Sequence, residues 1–356
     1  MNFRPEIQHA LNGLAAKNNP TIINGISFSS PFLMAPMSQI TDAPFRRFME
    51  TMGAGGTVGE LISAHGILYD NKKTKQMLKV HPKEKHVGLQ LFGEDPELMG
   101  QAAEIMQEFS PQFIDINMGC PVKKVVTKGA GSALLKDVSK LPHFFSSIRK
   151  RVSLPLSIKI RLGWDQQSKN ASEVVHIAAE EGIQMIAIHG RTRCQQYAGK
   201  ADWEHIEEVA TKSPLPIIGN GDLTSAEQIQ QRWANTHCAA LMMGRGPLKN
   251  PFLFLQASVP EFNRFNFSGV DVFCAWKLLL INLLEDESIN PQTVFIRMRN
   301  HGLWFSHGLP HAKEFRTQVF TVKDLSSLEL LIEDFFSQFS QFNNTSEESF
   351  MTAGHG

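Results

Sequence analysis

The sequence predicts an α/β fold, namely a (β/α)8 TIM barrel followed by a small all-helical C-terminal domain. Between residues 31 and 257, eight short apolar runs alternate with segments whose apolar residues recur at helical spacing. The runs are almost continuously apolar, as parallel strands buried on both faces should be. A doubly wound open sheet is the alternative, but the count of eight and the lack of an early G-x-G-x-x-G motif favour the barrel.

The elements follow one another with recognisable boundaries. Asp42 before Pro44, and Asp95 before Pro96, each predict a helix start, and Gly53 predicts the end of the first of these helices. The predicted strands lie at 31–36, 57–61, 86–91, 113–117, 155–160, 184–189, 216–220 and 239–243. We expect an N-terminal extension (1–30), the barrel (31–260), a helical domain (270–340) with helices at 271–284, 292–307 and 323–339, and a disordered polar tail (341–356).

Composition narrows the class of protein. The chain has 356 residues, 42% hydrophobic and 20% charged, which is typical of a folded chain with a sizeable core. Its 35 basic and 35 acidic residues exclude a strongly basic protein, although local basic patches stay possible. Four scattered cysteines without a C-x-x-C pair predict neither a metal site nor a disulfide framework. We therefore expect a reducing, cytoplasmic location, with no secretory signal and no membrane span.

The ends of the predicted strands carry most of the polar chemistry. In a (β/α)8 barrel the active site lies at the carboxyl ends of the strands. Seven of the eight ends carry polar or glycine-rich groups, which random loops would seldom do. These groups are Pro36, Met37 and Ser38; Gln90; Asn117; Lys159 and Arg161; His189 and Arg191; Asn220, Gly221 and Asp222; and Gly244 and Arg245.

The last two strand ends predict a phosphate site. Glycines let backbone N–H groups approach an anion, and Arg245 adds a charged fork. The alternative is that the glycines only make tight turns. Lys159 lies among apolar neighbours, where a positive group suits a flat, electron-accepting cofactor that becomes anionic on reduction. His189 alone would be read as a core histidine, but its neighbours point to the site.

Cys120 is the strongest candidate for catalysis. It follows a buried strand and stands between Gly119 and Pro121, in a loop that we expect to be constrained. The next residues include Lys123, Lys124 and Lys128, which we predict to lower the pKa of its thiol. It could act as a nucleophile or as a proton donor. The alternative is a small apolar filler, which is our interpretation of Cys238 and Cys274.

Basic residues cluster in three places. A loop at 72–86 holds six lysines and one glutamate, further lysines follow Cys120, and Arg297, Arg299, Lys313 and Arg316 mark the C-terminal region. A run of charge is usually a solvated face. Three runs that border one barrel mouth would instead suit a polyanion larger than a nucleotide.

Taken together, these motifs resemble the tRNA-dihydrouridine synthase family, and its bacterial B-type branch most closely. The resemblance covers roughly residues 30–330. The segments that carry it are APMSQITDAPFRR (35–47), QLFG (90–93), DINMGCPVKKV (115–125), KGAGSALL (128–135), IKIRLGWD (158–165), IHGRTR (188–193), GKADW (199–203), GNGD (219–222) and MGRGPLKNPFLF (243–254).

The resemblance implies a flavin enzyme that acts on tRNA. NADPH or NADH would reduce FMN, a hydride would pass to C6 of a tRNA uridine, and Cys120 would protonate C5 to give 5,6-dihydrouridine. The FMN-binding residues it implies are Pro36, Met37, Ser38, Gln90, Asn117, Lys159, His189, Asn220, Gly221, Asp222, Gly244 and Arg245. The substrate-binding residues we expect are Glu60, Lys123, Lys124, Arg161, Arg191 and Arg299, with no metal and no protein partner.

The sequence departs from the family pattern at two positions, and neither change removes a chemical group. Leu61 stands where a methionine commonly follows the acidic residue, and Leu162 where a threonine often follows the arginine. The stretch 297–316 looks like the family's tRNA-facing helix within the helical tRNA-binding domain. Two other functions stay open at this point: a small-molecule FMN oxidoreductase of the dihydropyrimidine or enoate reductase type, and a non-catalytic RNA-binding barrel.

Overall fold

The computed structural model describes residues 3–16 and 20–342, and within them eight parallel strands close into a barrel. An antiparallel hairpin of β1 (Thr21–Ile23) and β2 (Ile26–Phe28) precedes it. Around the barrel each strand pairs with the next in sequence, and the last closes onto the first. The barrel strands are β3 (Phe32–Met34), β4 (Gly56–Ser63), β5 (Val87–Phe92), β6 (Phe113–Met118), β7 (Leu156–Arg161), β8 (Met185–His189), β9 (Ile217–Asn220) and β10 (Ala240–Met243). The predicted fold class is confirmed.

The hairpin closes the amino-terminal end of the barrel. Its turn is Asn24-Gly25 with φ of 46° and 85°, the left-handed pair that a two-residue hairpin turn requires. Ile23, Ile26 and Phe28 are buried against Phe113 and the other apolar residues that point into the barrel. The lower half of the interior is therefore largely apolar, and only a few polar side chains, among them Thr57, Asp115 and Ser157, adjoin these apolar residues.

Helices cover the outside of the barrel in the predicted alternation. The Asp42 and Asp95 side chains accept from the backbone N–H groups of Phe45 (3.0 Å) and Leu98 (2.9 Å), so both predicted helix starts are confirmed. The helices are α1 (Pro5–Ala15), α2 (Ala43–Thr51), α3 (Ala64–Leu68), α4 (Lys72–Met77), α5 (Pro96–Gln107), α6 (Lys123–Val126), α7 (Leu141–Arg149), α8 (Ala171–Glu180), α9 (Trp203–Lys212), α10 (Ala226–Trp233), α11 (Gly246–Lys249) and α12 (Leu253–Ser258).

Four helices follow the barrel and pack on one another: α13 (Gly269–Leu284), α14 (Pro291–Phe305), α15 (Ala312–Thr321) and α16 (Leu325–Ser337). Helix α13 packs against α2, where the Asn282 amide donates to the Pro44 carbonyl over 3.2 Å. Ion pairs border this contact and join Arg47 to Glu285 (2.6 Å) and Lys79 to Asp286 (2.7 Å). The helical region is thus fixed to the side of the barrel that carries the loop after β3.

The structure differs from the sequence-based expectations in two segments, and a third segment lies partly outside the described residues. The predicted loop at 72–86 begins with helix α4, because the Asn71 side chain accepts the N–H groups of Lys73 and Thr74 and starts a helical turn. The predicted helix at 292–307 is confirmed as α14, but the stretch 297–316 does not form one helix. The chain breaks between α14 and α15, where Pro310 and the positive φ of Gly308 and His311 end the helix. The predicted disordered tail lies, from residue 343 on, outside the described residues.

No helix within the described ranges combines the length and apolarity needed to cross a bilayer.

A buried ion pair holds the two chain segments that face the helical region. Arg46 is 1% exposed and donates to both carboxylate oxygens of Glu84, at 2.7 and 3.1 Å. It also donates to the carbonyls of Thr41 and Lys79. A single side chain therefore connects the start of α2 with the segment before β5.

We expect Arg46→Met to lower the free energy of unfolding in urea by about 3–5 kcal/mol, because it leaves the Glu84 carboxylate buried without its partner. The matched control is Arg151→Met. Arg151 pairs with two exposed glutamates, so its loss should change the free energy by no more than about 1 kcal/mol. Equal effects of the two substitutions would contradict the role given to Arg46.

Candidate active site

A single cleft gathers most of the predicted site residues at the carboxyl ends of the strands. The space between its walls, open solvent included, is about 1000 Å³, which is enough for a cofactor and more than a metal ion needs. Cys120, all twelve residues predicted to bind a cofactor, and Arg161 and Arg191 line it. Among the described residues, no group of three or more His, Cys, Asp or Glu side chains could hold a metal ion.

Four predicted residues lie outside the walls of this cleft. Glu60 is buried at the bulge in β4, and its carboxylate accepts the backbone N–H of Gln39. Lys123 and Lys124 are exposed on α6, directly after the Cys120 loop. Arg299 lies on α14, where its guanidinium covers the rings of Phe295 and Phe320. These residues border the cleft or lie away from it, and none of them forms part of its walls.

The loop after β6 presents Cys120 to the cleft. The Asn117 side-chain oxygen accepts the backbone N–H groups of Cys120 (3.0 Å) and Gly119 (3.3 Å). The Cys120 carbonyl in turn accepts the Ser132 hydroxyl over 2.8 Å. The loop is therefore held on both sides of the thiol, as its glycine and proline frame predicts.

The predicted effect on the Cys120 thiol has the wrong sign. Burial raises the pKa of Cys120, and the nearby Arg161 and Lys159 offset only part of that rise. Lys123, Lys124 and Lys128 are exposed and do not line the cleft, so the cations that act on the thiol are Arg161 and Lys159. A raised pKa keeps the thiol protonated at neutral pH, which suits a proton donor rather than a thiolate nucleophile.

Lys159 provides a half-buried cation in the cleft. Its ammonium donates to the Asn220 side-chain oxygen over 3.1 Å, and the Asn220 amide donates to the Met242 carbonyl over 2.7 Å. Burial and, to a lesser extent, the neighbouring Arg161 lower the pKa of Lys159 to about 8, while Asp115 acts in the opposite direction. The side chain therefore remains mostly charged at pH 7. In this structure Asn220 orients Lys159 from the β9 end.

The loops after β9 and β10 form a cradle lined with glycine. Gly221 has φ of +133°, and a Cβ there would lie 2.6 Å from the Ala201 side chain, so only glycine fits. Asp222 has φ of +52° and is held by Arg191 (2.8 Å) and by the Ala201 N–H (2.7 Å). At Gly244, by contrast, a Cβ would face open cleft, with its nearest neighbour at 3.9 Å. Asp222 thus braces the cradle from one side.

Two arginines of the cleft donate hydrogen bonds to the backbone of its walls. Arg161 donates to the carbonyls of Gly119, Thr192 and Gln196, and Arg191 donates to those of Ala198 and Gly199. These bonds fix the long loop between β8 and α9. Both arginines still line the cleft, but the hydrogen bonds that the structure describes make them parts of its frame.

Sequence reasoning missed Tyr197. Its ring lies in the cleft with the guanidinium groups of Arg161 and Arg245 above it, at 5.5 and 4.8 Å from the ring centre. The available signal was weak: Tyr197 is one of only two tyrosines and follows the HGRTR motif by a few residues. Asp115 was also missed, although a carboxylate inside a predicted buried strand is unusual.

The charge of the cleft favours an anion. Of the described residues that line it, Lys159, Arg161, Arg191 and Arg245 are cations and Asp222 is the acid, already paired with Arg191. Burial and these cations hold the pKa of His189 well below its usual range, so its ring is neutral. Apolar walls from Ala35, Met37, Leu61 and Met242 accompany the charges. Together these groups suit a flat, phosphate-bearing ligand.

A family model and the similar curated sequences point to the same protein family. Residues 33–340 match the family model described as dihydrouridine synthase. The chain is 33% identical to a "Probable tRNA-dihydrouridine synthase" of Rickettsia prowazekii, across 88% of this chain and 97% of the relative. It is 34% identical to "tRNA-dihydrouridine synthase B" of Pasteurella multocida (88% and 95%) and 33% identical to that of Pseudomonas aeruginosa (86% and 92%).

Solved structures show the same fold at low sequence identity. A 6-hydroxypseudooxynicotine amine oxidase from Pseudomonas geniculata superposes with a TM-score of 0.55 at 12% identity, over 77% of this chain and 53% of that one. A 2-naphthoyl-CoA reductase superposes with a TM-score of 0.53 at 12% identity, over 67% and 51%. The chain spans about half of each structure, and the likeness concerns the fold alone.

We expect alkylation of Cys120 by iodoacetamide to be slow at neutral pH and to rise with an inflection above pH 8.5, the ordinary value for a thiol, because burial raises its pKa. Peptide-resolved mass spectrometry measures the rate at each pH. The exposed Cys194 is the internal control for reagent access. An inflection near or below pH 7 would identify a thiolate and contradict the assignment as proton donor.

Proposed function

The chain belongs to the dihydrouridine synthase family and is an oxidoreductase that acts on CH–CH bonds; we propose that its substrate is a uridine of tRNA. We further propose FMN as its cofactor and NADPH or NADH as the reductant. The observation that carries this proposal is the position of the Cys120 thiol, whose pKa is raised by burial, in the same cleft as the Lys159 cation and a glycine-lined cradle. The tRNA relatives named above support the substrate.

The residues of the cleft fit FMN. Gly221, Gly244 and Arg245 would hold its phosphate, in the loops after the last two strands where barrels of this class bind phosphate. Lys159 and the neutral His189 would face the ring system, and Pro36, Met37, Ser38 and Gln90 would line it from the other strands. When bound, FMN would supply the hydride that adds to C6 of the uracil ring, once NADPH or NADH has reduced it.

The chain's own residues then account for the remaining chemistry. Cys120 would give its proton to C5, and burial keeps that proton on the sulfur until it is needed. Asn117, which anchors the Cys120 loop and lines the cleft, would help place the uracil. The target base must leave its stack, at a cost of a few kcal/mol, before it can lie flat in the cleft.

Exposed cations would bind the rest of the tRNA. Lys123 and Lys124 on α6 and the lysines of α4 carry unburied charge next to the loops that form the cleft. The helical region Gly269–Ser337, which includes Arg299, would act as a tRNA-binding domain. Contacts of this kind go to phosphates and position the substrate, so affinity should fall steeply with salt.

The deciding experiment is nucleoside mass spectrometry of unmodified tRNA incubated with the protein, FMN and NADPH. A uridine that is two hydrogens heavier would support the proposal, and mapping it would give the position. Bound flavin and NADPH oxidation without that product would favour a small-molecule reductase instead. Absence of both would leave a non-catalytic RNA-binding barrel.

We expect Cys120→Ala to lower the rate of dihydrouridine formation by about 10²–10⁴-fold, because the carbanion-like C5 loses its positioned acid. Cys194→Ala is the matched control, since it removes an exposed thiol from a neighbouring loop and should keep the wild-type rate. Near wild-type turnover by the Cys120 variant would exclude this role.

We expect Gly244→Ala to weaken FMN binding about tenfold or more while the melting temperature of the flavin-free protein stays unchanged. The added methyl group meets no protein atom closer than 3.9 Å, so it occupies the cleft instead. Gly13→Ala, at another glycine with open space, is the control and should leave binding unaffected. Fluorescence titration with FMN gives the affinity, and unchanged affinity of the Gly244 variant would place the phosphate elsewhere.

A further inference from the structure

Asp115 is a buried carboxylate directly beneath the cleft. It is 4% exposed, it does not line the cleft, and it faces the barrel interior from β6. Strand register places Gln90 of β5 on one side of it and Ser157 of β7 on the other. Asp115 therefore cannot touch a ligand in the cleft, and any effect it has on the chemistry must pass through a neighbour.

Both oxygens of this carboxylate accept hydrogen bonds. The Ser157 hydroxyl donates to one over 2.6 Å, and the Gln90 amide nitrogen donates to the other over 2.7 Å. An ionised carboxylate carries no proton to donate. Gln90 must therefore turn its NH2 group toward Asp115 and its oxygen toward the opposite side.

The orientation of Gln90 is passed on to the loop that carries the thiol. The Gln90 oxygen accepts the Asn117 amide nitrogen over 2.9 Å, which leaves the Asn117 oxygen for the backbone N–H groups of Gly119 and Cys120. This series of hydrogen bonds starts at the Asp115 carboxylate, which can only accept. It ends at the backbone N–H groups of the loop, which can only donate. Reversing either amide would break hydrogen bonds on both of its sides, so the two ends specify the same arrangement.

We propose that Asp115 is a positioning residue for the loop that carries Cys120. Its carboxylate orients the Gln90 amide, Gln90 orients Asn117, and Asn117 holds the backbone at the thiol. The inference rests on the proposed function only for the part that Cys120 plays in turnover. It adds a residue outside the cleft to those on which the geometry of the proton donor depends.

The size of the effect follows from the geometry. Without an acceptor at position 115, the Gln90 amide is free to turn over, and Asn117 then loses the partner that fixes its oxygen toward the loop. A displacement of about 1 Å at a reacting group can cost about 10²-fold in rate. We therefore expect the loss of the acceptor to lower kcat rather than to raise KM for tRNA.

The test compares Asp115→Leu with Asp115→Asn. Leucine removes the acceptor. Asparagine keeps it, because its oxygen can face Gln90 while its nitrogen donates to the Ser157 hydroxyl, which can accept as well as donate. We expect kcat for dihydrouridine formation to fall about 10–100-fold in the leucine variant and to stay within about threefold of wild type in the asparagine variant.

A second readout does not depend on turnover. The alkylation rate of Cys120, measured by peptide-resolved mass spectrometry, should change about fivefold or more in Asp115→Leu and remain as in wild type in Asp115→Asn. The matched control is Asp271→Leu. Asp271 is also buried, at 1% exposure, but it completes the capping box of α13 with Ser268 and pairs with Arg4, so its loss should lower the melting temperature without changing Cys120 reactivity.

A double-mutant cycle tests the route. On an Asn117→Ala background, Asp115→Leu should have almost no further effect on kcat or on alkylation, because the connection to the loop is already cut. Should Asp115→Leu not fold, Gln90→Met interrupts the same chain without removing a charge and should change Cys120 alkylation in the same way.

The outcomes separate the two proposals. Wild-type kcat and alkylation in the leucine variant would overturn the inference, as would equal losses in the leucine and asparagine variants, which would indicate that charge rather than orientation matters. Wild-type protein that makes no dihydrouridine would instead refute the proposed function, and the alkylation rates would still decide whether Asp115 positions the loop.

Discussion

The functional polar side chains inside the closed barrel form hydrogen bonds with one another, because the strands and the largely apolar lower half exclude bulk water from the interior. This constraint organises the site. Asp115 accepts from Ser157 and Gln90, and Lys159 donates to Asn220. An unpaired polar group at these depths would cost about 1–3 kcal/mol, and an unpaired charge more. The hydrogen bonds that keep the barrel stable are therefore also the ones that aim its functional groups.

The same burial shifts the ionisation of these groups, and each shift has a chemical use. It raises the pKa of Asp115 to about 6 and lowers that of Lys159 to about 8. Both groups remain mostly charged at neutral pH, but each pKa lies closer to neutral pH than it would in water. It also raises the pKa of Cys120, which keeps the proton on the sulfur. The cleft thus combines the Lys159 cation with the Cys120 thiol, whose raised pKa makes it a weak acid. A reaction that needs both an electron-rich cofactor and a proton would use both groups.

The helical region is not an independent appendage. Arg46 and Glu84 bring the start of α2 and the segment before β5 together. Asn282 of α13 contacts the first of these segments, and Asp286, just after α13, pairs with Lys79 of the second. A large substrate bound to the helical region would therefore sit at a fixed position relative to the barrel mouth. A cleft and a helical region that are held in one relative position suit the selection of one base of a folded nucleic acid by shape rather than by sequence.

The order of apolar runs along the chain was enough to predict the barrel, because few other folds accommodate eight buried parallel strands separated by helices. Motifs at the strand ends determined most of the site for the same reason: all the strand ends of a barrel meet at one mouth, so Cys120, Lys159, His189 and Gly244 could be placed together without a structure. Local rules also sufficed for the helix starts at Asp42 and Asp95.

Tertiary structure alone decided what depends on direction and on depth. The lysines after Cys120 are near it in sequence, yet they point to solvent, and the thiol responds to burial and to Lys159 and Arg161 from the next strand. Tyr197 reaches the cleft because its long loop folds back across the mouth. The role of Asp115 rests on which neighbour each carboxylate oxygen meets, and strand register sets that. Sequence orders residues along the chain, whereas electrostatics and hydrogen bonds depend on distances between strands.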